Sequence, residues 1–279
     1  MVKSFVKLYN PYEWRNEMTK RSFTNEQLSR MLYEATKTGD PMEIISQLDE
    51  KVTVQDAYDI QLKNVARALE DGEVISGKKI GLTSKPMQQL FGIDEPDYGH
   101  LYKSTEVTNG GSIKIDTLNK PKVEGEIAFI LNRDLTGPGV TIEDVYRATE
   151  YICPAIEIVD TRYEDWRIKL VDTISDNGSS VLYIMGDNKY KIGEVSLPEI
   201  KMTLSRNGEV INKGTGADVL GDPATAVAWL ANKLHEFGVK LNKGDVILSG
   251  AITAAIEAVE GDSFECSFGE LGSVKVRFE

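Results

Sequence analysis

After Gly77 the chain breaks into short apolar runs separated by turn residues, and this limits its fold more than any other feature. The runs are KKIGLTS, GSIKI, EIAFIL, AIEIVD, VLYIMG, KMTLSRNGEVI, DVILSG and SVKVRF. Segments this short, bounded by Gly, Asn, Asp and Ser, read as strands. Asn207-Gly208, between KMTLSR and EVI, is the pair that a type I′ hairpin turn favours. Two helices interrupt the strands. One opens at the Thr141/Asp144 capping pair and ends before Pro154. The other has Asp222 as cap and Pro223 in its first turn, and runs through Trp229 and Leu234 to Gly238. Many strands with few helices predict an α+β fold, a twisted β-roll or barrel carrying peripheral helices.

The first quarter is different. Thr24 and Gln27 have capping-box spacing, Leu28, Met31, Leu32 and Ala35 follow at helical intervals, and Gly39 ends the run. Thr53 and Asp56 repeat the signal ahead of a stripe from Val54 to Leu69 that stops at Asp71-Gly72. We therefore divide the chain into a helical region, residues 1–75, and a β-rich domain, residues 76–279. Asn109 to Gly111 reads as a loop inside that domain, and residues 1–23 give no clear element.

Composition excludes several partners. Cys153 and Cys266 are isolated in apolar settings without metal-ligand spacing, which points to a reducing compartment. The N-terminal residues lack a signal-peptide pattern and no apolar run has the length of a membrane span, so the expected location is cytoplasmic. With 32 basic against 44 acidic residues, and no basic cluster, neither nucleic acid nor an anionic membrane is an expected partner.

The chemistry concentrates in PKVEGEIAFIL, Pro121 to Leu131. On a strand, residues two apart share a face, so Glu124 and Glu126 project together while Gly125 leaves the other face bare for close packing. Taken alone, the pair fits an exposed sheet edge. Glu157 changes that reading, because it interrupts the apolar strand Ala155, Ile156, Ile158, Val159. A buried charge needs compensation. Arg162 or Lys169 could pair with it; alternatively, Glu157 joins Glu124 and Glu126 around a divalent cation. An all-oxygen set without nearby His or Cys favours Mg²⁺, Mn²⁺ or Ca²⁺ and leaves about three of six positions open. Lys79, between glycines in SGKKIG, is either a surface lysine or part of such a site. DTISDNGSS, Asp172 to Ser180, reads first as an Asx/Ser turn.

Five segments together resemble the hydratase/decarboxylase branch of the fumarylacetoacetate hydrolase superfamily. They are GKKIGLTSKPMQQLFGIDEPDYGHL, KVEGEIAFIL, DLTGPGVTIEDV, PAIEIVDTRYEDWRIKLVDTISDNGSS and GDVILSGAITAAIEAVEGDSFECSFGELGSVKVRF, in family order. The resemblance covers about residue 24 to the end. It implies a mixed β-roll of the fumarylacetoacetase C-terminal type, a Mg²⁺ or Mn²⁺ cofactor and a homo-oligomer. It matches Glu124, Glu126 and Glu157 to metal-binding acids, Lys79 and Asp97 to acid/base groups, and Leu82 and Ser179 to contacts with the substrate's carboxylate end. Gly178 departs from the family, whose members more often carry Ala there.

The activity implied is hydration of a 2-hydroxy-2,4-dienoate, most closely the five-carbon 2-hydroxypenta-2,4-dienoate, to 4-hydroxy-2-oxopentanoate in meta-cleavage breakdown of aromatic compounds. Two reactions on the same scaffold remain open: decarboxylation of 2-oxo-3-hexenedioate (4-oxalocrotonate), towards which GAITAAI leans, and hydration of a longer-chain dienoate. Hydrolysis of a carbon–carbon bond typically needs a His paired with an acid, and neither His100 nor His235 has an obvious partner.

Overall fold

The computed structural model describes residues 21–279, so readings of the leading residues lie outside it. Helix α1 (Asn25–Thr38) starts as its sequence dictates. The Thr24 hydroxyl accepts the Gln27 N–H, the Gln27 side chain accepts the Thr24 N–H, and Gly39 closes the helix at φ 77°. After the single-turn α2 (Ile45–Leu48), α3 (Val54–Glu70) is capped in the same way by Thr53 and Asp56. Leu28, Leu32, Ile44, Ile45, Val52 and Ile60 form an apolar cluster that also takes in Tyr163.

The remaining elements run β1 (Ile75–Gly81), α4 (Lys85–Phe91), β2 (Asp97–Tyr102), β3 (Glu106–Val107), β4 (Ser112–Ile113), β5 (Lys122–Leu131), α5 (Ile142–Ala148), β6 (Thr149–Val159), α6 (Leu170–Ser175), β7 (Ser180–Met185), β8 (Lys201–Arg206), β9 (Glu209–Thr215), α7 (Pro223–His235), β10 (Val246–Leu248), β11 (Ile256–Glu257), β12 (Ser263–Ser267) and β13 (Ser273–Phe278). The large sheet is ordered β2-β1-β10-β5-β6-β7-β3, with β11 also on β5; the small one is β4-β13-β12-β8-β9. The pairs β1/β10, β3/β7 and β4/β13 are parallel, so both sheets are mixed. The hairpin between β8 and β9 turns at Asn207 and Gly208 with φ of 53° and 85°, as a type I′ turn requires.

The core lies between the sheets and under α7. Ile127, Phe129 and Leu131 of β5 and Ile156 and Ile158 of β6 pack with Phe264, Cys266, Val274 and Val276 of the small sheet. Gly125 makes this approach possible: a Cβ there would stand 2.8 Å from Cys266 Sγ and 3.0 Å from Met202 Cε. The opposite face of β5 carries Glu124 and Glu126.

Three elements depart from the sequence reading. The helix opened by Thr141 stops at Ala148, and β6 runs straight through Pro154. Pro154 is tolerated because its carbonyl accepts from Gly186 N just past the end of β7, so its missing N–H faces that side too and costs no ladder bond with β5. Strand β2, DYGHLY, was not among the expected strands: its Asp and His hide its buried character. The segment read as a turn at Asp172 begins inside the short helix α6.

Candidate active site

The site is built on the β5–β6 pair. Their register sets Glu124 directly opposite Glu157 and Glu126 opposite Ala155, so all three carboxylates leave one face of the sheet. Their oxygens come within 4.8 Å of one another. Glu126 and Glu157 are fully buried and Glu124 is half-buried. Glu126 Oε2 accepts the Gly250 N–H at 2.7 Å. Oε1 of Glu126, Oε1 of Glu157 and Oδ1 of Asp97 have no hydrogen-bond partner among the described residues. Buried carboxylate oxygens left unpartnered this way are expensive, and a hard divalent cation among the three glutamates resolves the cost for theirs. The donor set therefore fits such an ion.

Lys79 enters from β1. Its Nζ lies 3.1 Å from Glu157 Oε2 and donates to the Gly178 carbonyl at 2.9 Å. The lysine is buried rather than superficial. Neither chain-local cation pairs with Glu157; Arg162 is engaged by Asp176 instead. Asp97 opens β2 opposite Gly81. A Cβ on Gly81 would stand 2.2 Å from Asp97 Oδ1 and 3.4 Å from Lys79 Nζ, so the missing side chain lets both groups gather over one point.

Ser179 follows a left-handed turn in which Asn177, Gly178 and Ser179 have φ of 56°, 62° and 58°. The Asn177 side chain pins this turn to β2, accepting from His100 N and donating to His100 O. Thr173 was not singled out by the sequence reading, yet its hydroxyl donates to Asp97 Oδ2 at 3.2 Å and lies 3.3 Å from Ser179 Oγ. Its signal was the hydroxyl-rich stretch itself. Leu82, at φ 56°, is a leucine in a conformation that leucine disfavours, and it lines the same cavity. The helical region braces these parts: Gln61 Nε2 donates to the carbonyls of Tyr98 and Ile174, and Ser46 donates twice to Asp172.

Burial and like charge govern protonation. Burial, opposed by Lys79 and assisted by Glu157 and Asp97, pushes Glu124 up to about 7. Burial with Glu157 and Glu124 pushes Glu126 further above the carboxylate range, and burial raises Glu157 and Asp97 against the pull of Lys79. For Lys79, burial alone would lower the pKa, but Glu157, Asp97, Glu124 and Glu126 outweigh it and hold it above the ordinary lysine value.

These groups open on a cavity of about 630 Å³ lined by Lys79, Leu82, Asp97, Glu124, Thr173 and Ser179, and by the apolar Val159, Ile168 and Ile252. Of the two histidines, His100 is buried on the opposite face beside Lys78, His235 ends α7, and neither lines the cavity. No helix among the described residues is long and apolar enough to cross a membrane.

Comparison with known proteins agrees with this architecture. Residues 84–279 match the family model described as fumarylacetoacetate (FAA) hydrolase C-terminal. The chain is 41% identical over 263 residues to 2-hydroxyhexa-2,4-dienoate hydratase of Comamonas testosteroni, covering 94% of this chain and 99% of that one. It is 41% identical over 254 residues to 2-keto-4-pentenoate hydratase of Paraburkholderia xenovorans, covering 91% and 94%. Among solved structures, 4-oxalocrotonate decarboxylase from Pseudomonas putida G7, complexed with magnesium and adipate, superposes with a TM-score of 0.89 at 35% identity, covering 93% of this chain and all of that one. The chain belongs to the fumarylacetoacetate hydrolase family, in its hydratase/decarboxylase branch.

Proposed function

We infer that this protein is a divalent-metal-dependent hydro-lyase that adds water to 2-hydroxypenta-2,4-dienoate, giving 4-hydroxy-2-oxopentanoate in the breakdown of aromatic compounds. The observation that carries this reading is the meeting of three carboxylates from β5 and β6 with Lys79 at one end of a mostly apolar cavity. Glu124, Glu126 and Glu157 would hold Mg²⁺ or Mn²⁺. When bound, such an ion supplies positive charge to the carboxylate and 2-oxygen of the substrate, favouring the 2-oxo form and the enolate that water addition generates.

The remaining work falls to the chain's own side chains. Lys79, kept protonated by its acidic neighbours, acts as a proton donor and as fixed positive charge. Asp97 has an unpartnered oxygen and a raised pKa, so it exchanges a proton near neutrality more readily than an ordinary aspartate. Together they move protons as the dienol becomes the 2-oxo-3-enoate; water then adds at C4 and a proton at C3. Ser179, supported by Thr173, and the strained backbone at Leu82 orient the carboxylate end. Val159, Ile168 and Ile252 keep bulk water from the reacting carbons.

We treat residues 76–279 as the catalytic domain, braced through Gln61 and Ser46 by the helices among residues 21–75. A cytoplasmic location, expected from the sequence, and a homo-oligomer, implied by the resemblance, belong to the same proposal; sedimentation of the purified protein tests the assembly.

Incubation with Mg²⁺ and either 2-hydroxypenta-2,4-dienoate or 2-oxo-3-hexenedioate tests the reaction. Water addition to the first is expected. Release of CO2 from the second, with no hydration of the first, would make the protein a decarboxylase.

A further inference from the structure

The loop between β10 and β11 carries GAITAAI, whose polar residue, Thr253, has no part in the reaction as derived so far. The loop is tied down along β5. Ser249 N–H donates to the Ile127 carbonyl at 3.1 Å, Ile252 N–H to the Gly125 carbonyl at 3.0 Å, and Gly250 N–H to Glu126 Oε2 at 2.7 Å. Its other side is held by β9, where Asn212 Nδ2 donates to the Ala254 carbonyl at 3.3 Å. Thr253 therefore stands on a fixed backbone, one residue past the bond to Gly125, and lines the cavity together with Ile252.

The Thr253 side chain is held as well. A Cβ on Gly214 of β9 would stand 2.9 Å from Thr253 Cγ2, so the methyl group rests against the bare glycine backbone. A β-branched side chain whose methyl is fixed has its hydroxyl fixed too. That hydroxyl is enclosed, yet Oγ1 has no hydrogen-bond partner among the described residues. Of the described residues lining the cavity, only Asp97 has another enclosed polar atom left in this state. The hydroxyls of Ser84 and Thr173 are engaged, the first by Met87 N–H and the second by Asp97 and Ser179. An enclosed hydroxyl without a partner is destabilising, and folded proteins satisfy such groups with ordered water or a ligand.

We propose that Thr253 seats the water that adds to C4. This rests on the reading that the site is a hydratase whose three-glutamate end holds the 2-oxo acid head. The oxygens of that head have their partners at the glutamate cluster, Ser179 and Leu82, whereas the incoming water has none. Thr253 offers it one polar point beside the apolar Ile252. The threonine hydroxyl accepts a hydrogen bond from the water and leaves a water lone pair free for C4. The C4–O bond forms as the C3=C4 π pair shifts towards the 2-oxygen, giving the enolate. The proton that the water gives up balances the one that C3 receives, so no further reactant is needed, and the threonine neither gains nor loses a proton. Decarboxylation consumes no water and has no use for such a seat.

Thr253→Val and Thr253→Ser test the proposal in excess Mg²⁺ with 2-hydroxypenta-2,4-dienoate. Nuclear magnetic resonance follows loss of the dienol and appearance of 4-hydroxy-2-oxopentanoate separately. Thr253→Val is expected to lower hydration about a hundredfold. It should still consume the dienol, so that 2-oxopent-3-enoate accumulates. Thr253→Ser keeps the hydroxyl and is expected to hydrate at least about tenfold faster than Thr253→Val. Thr253→Val should also melt no lower than the unaltered protein, because it removes an enclosed hydroxyl that no protein atom satisfies. Hydration by Thr253→Val at the rate of the unaltered protein overturns the proposal. Equal loss of dienol consumption and hydration also overturns it, by placing Thr253 at the acid head. A lower melting temperature without rescue by Thr253→Ser overturns it by making the residue structural. If the unaltered protein hydrates nothing and releases CO2 from 2-oxo-3-hexenedioate, the hydratase reading itself fails, and the water seat with it, before any variant is compared.

Discussion

Lys79 and Glu157 meet at 3.1 Å although their strands are not neighbours. In the sheet, β10 and β5 lie between β1 and β6. Three strand spacings would put the two backbones about 14 Å apart in a flat sheet. The contact therefore depends on the curl that turns the glutamate-bearing face into a concave wall. It also explains why the lysine stays charged: it reaches into the acidic cluster instead of out to water.

Lys79→Met should separate catalysis from folding. A proton donor of this kind is worth about a 10²- to 10⁴-fold rate factor, so turnover should fall at least a hundredfold. The metal-free variant should also lose stability, because Glu157 is left buried without its cation, a loss of about 3–5 kcal/mol where a buried pair is broken. Steady-state kinetics and denaturant unfolding measure the two effects. Full activity in the variant would remove Lys79 from the mechanism.

Glu126→Gln keeps the shape and can still accept the Gly250 N–H. On the proposed reading, Mg²⁺ affinity falls about tenfold or more. Turnover falls with it while the fold survives. Without metal and above neutral pH, the variant should be more stable than the parent, since it deletes one of three crowded negative charges. Calorimetric titration with Mg²⁺ and thermal melts test this. An active variant that binds no metal would rule out the site.

The metal-free protein should become less stable as pH rises. Glu124, at about 7, and Glu126 and Glu157, both raised, hold protons in the folded state over a range where the unfolded chain, with ordinary values near 4.5, has lost them. The unfolded state binds fewer protons, so the unfolding free energy falls from about pH 4.5 through 7 and beyond. A bound cation needs these groups deprotonated, so the stabilisation by Mg²⁺ over chelator should grow with pH. Melting temperatures between about pH 5 and 8, with and without chelator, measure it. A metal-induced gain that shrinks with rising pH would contradict the cluster's electrostatics.

Two glycines of β1 should respond differently to alanine. At Gly77 a Cβ would stand 1.8 Å from the Val246 carbonyl oxygen, so Gly77→Ala breaks the β1/β10 pairing and should abolish stable folding. At Gly81 the nearest atom is Asp97 Oδ1 at 2.2 Å, the end of a side chain that can swing away. Gly81→Ala should fold and lose at least about tenfold in turnover, because the Asp97 carboxyl is displaced. Soluble yield, circular dichroism and turnover of both variants decide it; a folded Gly77→Ala would count against the assigned pairing.

The sequence by itself determined what depends on neighbours in the chain. Thr24 with Gln27, Thr53 with Asp56, and Asp222 with Pro223 set helix starts through bonds spanning a few residues. Asn207-Gly208 set a hairpin because few other pairs tolerate its backbone. The alternation in Glu124-Gly125-Glu126 fixed two acids on one face and room for Cys266 on the other, since strand periodicity is local. Tertiary structure alone decided which charges meet. Chain proximity offered Arg162 and Lys169 as partners of Glu157, but strand order brought Lys79 from 78 positions upstream. It likewise joined Thr173 to Asp97, set Lys122 on Trp166, and let β6 run through Pro154 where β7 ends. Such contacts follow from sheet order and curl, which are fixed by burying apolar faces across the whole chain.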